Sequence, residues 1–68
     1  MRYSLNYEGA IFADDSDGFN CHYYDSFDDA YSWLYTIVHS GHPYAYLRDE
    51  KFGVTLSWDR QNEDFYWA

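Results

Sequence analysis

Tyr3, Leu5 and Tyr7 alternate with Ser4, Asn6 and Glu8, the period of two that a strand shows when one face is buried and the other wet. This places a first strand at residues 2–7. Gly9 interrupts it, residues 10–13 either continue it or bulge, and Asp14-Asp15-Ser16-Asp17-Gly18 is built from residues that tolerate turn geometry. Phe19, Cys21 and Tyr23 then alternate with Asn20 and His22, so residues 19–24 return as a second strand and close a hairpin.

The period changes after Tyr24. Phe27, Ala30, Tyr31, Leu34, Ile37 and Val38 recur at spacings of three and four, the apolar stripe of a helix. Ser26 is placed to cap it, Asp28 and Asp29 stand in the first turn where the helix dipole favours negative charge, and Gly41 and Pro43 mark the exit. The predicted helix spans residues 27–40. Its wet side carries Asp28, Asp29, Ser32, Thr36 and His39, with Trp33 and Tyr35 on the flanks.

Alternation returns at residues 44–48 and 54–58, around the loop Asp49-Glu50-Lys51-Phe52-Gly53, which gives a second hairpin. Gln61-Asn62-Glu63 is a further polar turn, and residues 65–67 can add a short edge strand. The order ββαββ(β) predicts an α+β fold in one compact domain over residues 1–68: an antiparallel sheet of four to five strands with one helix on one face. If Ala45 and Leu47 face the helix, Tyr44 and Tyr46 project from the open face; the opposite phase buries both tyrosines.

Composition changes this picture in two ways. Against 12 Asp plus Glu there are 4 Lys plus Arg, a formal net charge of −8, and such acidity with little apolar area would mean disorder. Nine Tyr, five Phe and three Trp reverse that expectation, because each ring can bury on the order of 150–250 Å². The single cysteine excludes an internal disulfide framework and suits a reducing compartment such as the cytosol. Residues 1–7 lack the apolar segment of a signal peptide. No apolar run reaches the roughly 18 residues of a membrane span. Residues 3–47 contain neither Lys nor Arg, so direct binding to nucleic acid is not expected.

Asp14, Asp15, Asp17, Asp25, Asp28 and Asp29 fall within sixteen residues with no base among them. The bland reading is a solvated face in which Asp28 and Asp29 serve the helix dipole. In the functional reading, hairpin turn and helix start form one carboxylate patch that imitates phosphate charge and occupies the basic groove of a nucleic-acid-handling protein. Tyr24, Tyr35, Tyr44, Tyr46 and Tyr66 are candidates for the accompanying aromatic contact, with Tyr44 and Tyr46 foremost, because Tyr is frequent among interface hot spots. The uncovered sheet face equally admits a homodimer.

Cys21, His22, His39 and His42 carry zinc-ligand chemistry, but Cys21 and His22 are neighbours whose side chains diverge on a strand, against the bland reading of a buried cysteine with surface histidines. Setting Gly18 on the glycine of a calcium loop puts Ala13 and Tyr24 at ligand positions, which excludes that motif. No metal or other cofactor is expected. Cys21 has no paired base for nucleophilic catalysis and so short a chain offers little depth for a pocket, so no enzyme activity is expected.

In size, acidity, aromatic richness and the lack of a catalytic motif, the whole chain resembles small phage-encoded anti-defence proteins, anti-CRISPR proteins and DNA mimics among them. The resemblance implies a stoichiometric inhibitor that blocks the nucleic-acid path of a bacterial defence complex in the host cytoplasm. Immunity proteins that neutralise nuclease toxins look similar for the same electrostatic reason. The rival class is a small structural or adaptor subunit that binds through its aromatic sheet face while the acids keep it soluble.

Overall fold

Tyr3, Leu5 and Tyr7 lie on one face of the first strand, and all three are buried. The computed structural model describes residues 1–42 and 44–68; the exit role read for Pro43 lies outside them. The elements are β1 (Tyr3–Glu8), β2 (Phe19–Tyr24), α1 (Phe27–His39), β3 (Tyr46–Asp49), β4 (Val54–Asp59) and β5 (Asp64–Trp67). The strands form one antiparallel sheet in the order β2-β1-β3-β4-β5. This is the α+β fold expected from the hydrophobic pattern, with the fifth strand present. Residues 10–13 do not extend β1; they belong to the β1–β2 connection.

Helix α1 carries the chain from β2 across β1 to β3, so that β2 and β3 run parallel to each other with β1 between them. Its thirteen residues span about 20 Å at 1.5 Å per residue, close to the length of a six-residue strand. Ala30, Leu34, Ile37 and Val38 are buried against Leu5, Tyr7, Ala45, Leu47 and Leu56. A helix is only about 10–12 Å across, whereas five strands at about 4.8 Å spacing measure about 19 Å from first to last. The helix accordingly packs on β1, β2 and β3.

Aromatic rings cover the rest. Trp58 and Phe65 meet edge to face at 4.9 Å, Tyr31 meets Phe65 at 5.3 Å, Phe27 stacks on Trp67 at 6.0 Å and His39 lies 5.0 Å from Trp58. Much of the aromatic content is therefore a roof over β4 and β5. Tyr35 belongs to it, stacked on His39 at 3.9 Å.

Strand β2 reverses the phase read from its sequence. Register pairs Leu5 with His22 and Tyr7 with Asn20, so Asn20, His22 and Tyr24 face the helix layer while Phe19, Cys21 and Tyr23 face away. Cys21 is exposed, not buried. The inward polar groups are satisfied: the Asn20 amide donates to the carbonyls of Gly9, Ser16 and Gly18 at 3.0–3.3 Å, and its oxygen accepts the Ser16 N–H at 3.0 Å. Asn20 thereby fastens the β1–β2 connection, a role that an apolar residue could not fill.

At the helix start the Ser26 side chain makes no capping bond; only its carbonyl accepts, from Ala30 N–H at 3.2 Å. The helix end is built more firmly. Gly41 takes φ +92°, its N–H donates to Val38 O at 3.4 Å and the His42 N–H donates to Ile37 O at 3.2 Å, the pair of bonds that closes a helix through a left-handed residue. A Cβ at Gly41 would meet nothing within 4 Å, so Gly41→Ala should cost only the backbone penalty, about 1–2 kcal/mol, read as a lower urea midpoint with an unchanged slope. Among the described residues no helix is long and apolar enough to cross a membrane.

Candidate functional site

The six aspartates singled out in the sequence do not form one patch. Asp17 and Asp25 stand beyond opposite ends of β2, whose six residues span about 20 Å at roughly 3.3 Å each, more than twice the screening length of about 8 Å at physiological ionic strength. Asp25, Asp28 and Asp29 are exposed around the helix start, and Asp14 and Asp17 are exposed in the β1–β2 connection.

Asp15 departs from the group. Its carboxylate is 2% exposed. Oδ2 accepts from the Tyr7 hydroxyl and from the backbone N–H groups of Ile11 at 3.0 Å and Phe12 at 2.8 Å. Oδ1 accepts from His22 Nε2 at 3.1 Å. Burial alone would raise this carboxyl, but the four donors outweigh it and hold it well below the usual carboxylate range. The Tyr7 hydroxyl is pushed up in turn, first by burial and then by its bond to Asp15. Asp15 folds the loop onto β1 and β2 and is not part of an exposed charge surface.

Asp49, read as a loop residue, is the other carboxylate put to structural use. It is buried at the end of β3, where Arg2 Nη2 donates to it at 3.0 Å and the Lys51 N–H at 2.9 Å. The Arg2 hydrogen bonds are the main reason its carboxyl is lowered.

Strand topology also sorts the charges. The β1–β2 and β4–β5 connections share one end of the sheet and, with the strand ends beside them, carry Glu8, Asp14, Asp15, Asp17, Asp59, Glu63 and Asp64 against one cation, Arg60. The opposite end holds Asp25, Asp28, Asp29, Asp49 and Glu50 together with Arg2, Arg48 and Lys51. Arg2 is bonded to Asp49 and Arg48 to Glu50.

Among the described residues no layer covers the face away from the helix. Ala45 and Leu47 are buried and Tyr46 projects to the open side, where it is half-buried; Tyr44 lies in the turn before β3 and is 72% exposed. Register arranges this face in rows. Cys21, Asn6, Tyr46, Ser57 and Tyr66 form the middle row. Toward the acidic end lie Phe19, Glu8, Asp59 and Asp64, and toward the other end Tyr23, Ser4, Arg48 and Thr55. Small polar residues thus floor a surface on which Phe19, Tyr23 and Tyr66 stand largely exposed. Phe19, Tyr23, Glu8, Asp59 and Asp64 are absent from the site read in the sequence, because the phase of β2 and the meeting of β1 with β3 set their places.

Asp28 and Asp29 belong to the helix side, whereas Tyr46 lies on the opposite side of the sheet and Tyr44 is exposed in the turn before β3. Cys21 and His22 point to opposite faces of β2, and among the described residues no three His, Cys, Asp or Glu side chains gather as metal ligands. The surface depressions are open and shallow; one is bounded by Trp58, Asp59, Arg60, Gln61 and Tyr66. In comparisons with known proteins the chain matches no protein-family model, no curated protein and no solved structure.

Proposed function

We propose that this protein is a non-catalytic, stoichiometric inhibitor that occupies the basic nucleic-acid-binding surface of another protein, of the kind found in bacterial defence complexes. The observation that carries the reading is the one-sided charge: seven acids and a single cation at one end of a chain with net charge −8. Such a field attracts a surface of Lys and Arg, speeds encounter and repels nucleic acid itself. Because Asp15 is committed to the loop, the exposed members Asp14 and Asp17 supply the charge of the β1–β2 connection. The encounter takes place in the cytoplasm that houses such a complex.

The test is capture from a bacterial lysate with the tagged protein, followed by a competition assay on the captured protein. Adding the chain should displace a labelled oligonucleotide from that partner, with affinity falling steeply between low and high salt. Asp14→Asn with Asp17→Asn keeps side-chain size and leaves Asp15 intact. This variant should lose association rate and part of the salt dependence while dissociation changes little. A partner that binds chain and oligonucleotide together, with rates indifferent to salt, would replace the inhibitor by an adaptor acting through its aromatic face.

A further inference from the structure

We propose that the uncovered sheet face is the docking surface and that it takes arginine side chains of the basic partner, the helix-side acids taking no part. The inference rests on the proposed function and names the face and the chemistry by which it would act. Three observations carry it. Phe19, Tyr23 and Tyr66 on this face are 60, 57 and 49% exposed, and the floor between them is Ser4, Asn6, Ser57 and Thr55, which lets rings be approached from above. Glu8, Asp59 and Asp64 stand on the same face at its acidic end, with Asp59 opposite Asp64 across β4 and β5 and kept ionised by donors of Asn62 and Gln61, so that this end attracts a cation. Arg48 is the one cation among the strand residues of this face, and it is already paired with Glu50 at 3.3 Å.

Charge decides among occupants. A second copy would bring another −8 onto the face, and a nucleic acid would bring phosphates to a surface whose one strand cation is engaged; both are repelled. A basic protein surface is attracted. Between the two basic residues the geometry favours arginine, because its flat guanidinium stacks on a tyrosine ring and forks onto a carboxylate at once, whereas the lysine ammonium is a strongly hydrated point charge. Around Asp25, Asp28 and Asp29 the rings are already engaged: Phe27 and Tyr31 in the aromatic roof, and Trp33, one turn beyond Asp29, edge to face with Phe12 at 4.9 Å.

The experiment titrates the full ¹⁵N-labelled chain with deca-arginine and, separately, deca-lysine, following amide shifts by NMR at low and at physiological salt. The expected result is saturable shifts centred on Glu8, Phe19, Tyr46, Ser57 and Tyr66, with deca-arginine bound roughly three- to tenfold more tightly than deca-lysine. Tyr23→Ala with Tyr66→Ala, both at exposed positions of this face, should abolish that preference while the far-UV spectrum and residual salt-dependent binding persist. Glu8→Gln with Asp64→Asn should weaken both peptides alike. Shifts centred on Asp25, Asp28 and Asp29 with equal affinity for the two peptides would overturn the docking face and leave the inhibitor reading standing. Absence of saturable binding to either peptide would overturn both. Shifts on the sheet face that appear on concentrating the chain alone would assign the face to a second copy and overturn the proposal.

Discussion

Leu34→Ala should leave the chain without a cooperative unfolding transition at 25 °C. Leu34 is fully buried, between Ala30 and Ile37 on the one helix that covers β1, β2 and β3. Truncating a buried leucine removes its transfer energy and leaves a cavity, about 2–5 kcal/mol in all. A single core in a domain below roughly 70–80 residues rarely supplies more than about 3–5 kcal/mol, so the loss is of the same size as the whole. Among the described residues no second helix can shift to fill the space, and the rings that roof β4 and β5 are engaged with one another. Urea unfolding followed by far-UV circular dichroism checks this, with Tyr44→Ala as a surface control expected within about 0.5 kcal/mol of wild type. A sigmoidal Leu34→Ala transition with a midpoint near that of wild type would show that the helix is not what holds the sheet.

The elements were legible because two periods of hydrophobic residues change over cleanly at residues 24–27, and because Gly41 needs the left-handed conformation that ends the helix. The phase of β2 was not. Phe19, Cys21 and Tyr23 read as the apolar face by composition, but an edge strand only half-covered by the helix gains little from burying them. Asn20 and His22 gain more by turning inward to fasten the loop. Periodicity reports that a strand alternates; which side is inward depends on partners, here Gly9, Ser16, Gly18 and Asp15, that sit far from any apolar pattern.

Charge was legible as an amount and not as a place. Counting acids along residues 14–29 joins Asp17 to Asp25, which β2 holds apart by its full length. The grouping that the fold makes instead unites the β1–β2 connection with the β4–β5 turn some forty residues later, through the pairing of β1 with β3 and β3 with β4. Acidic residues also differ in use. Asp15, Asp49 and Asp59 accept backbone N–H groups that fix loops and turns, while Asp14 and Asp17 remain free to meet a partner. The run Asp14-Asp15-Ser16-Asp17-Gly18 gives no hint that its second member is the buried one; that follows from the Tyr7 hydroxyl reaching the loop from β1.

Asp15→Asn should flatten the acid side of the stability profile as well as lower the profile at neutral pH. The Asp15 carboxyl is lowered from an ordinary value of 3.8 in the folded chain, and the Asp49 and Asp59 carboxyls are lowered too, chiefly by hydrogen bonds from Arg2 and Asn62. A lowered value means that the unfolded chain binds more protons than the folded one between the folded-state and unfolded-state values. The stabilisation is therefore complete above about the unfolded value and is lost as pH falls through the folded one. Wild type should lose stability steadily below about pH 4, and Asp15→Asn should take up as much as one proton fewer on unfolding there. At neutral pH the amide replaces charge-assisted bonds by weaker neutral ones and turns one acceptor into a donor toward Tyr7 or His22. Tyr7→Phe gives the complementary measurement: it deletes one donor and keeps Ile11, Phe12 and His22, at a cost of about 1.5–3 kcal/mol for a hydrogen bond to a charged group. The two substitutions share one contact, so the double variant should be less damaged than the sum of the singles. Chemical denaturation across roughly pH 2 to 5 reads both effects; parallel profiles for wild type and Asp15→Asn, with additive single variants, would mean that the Tyr7, His22 and backbone donors do not hold Asp15 ionised.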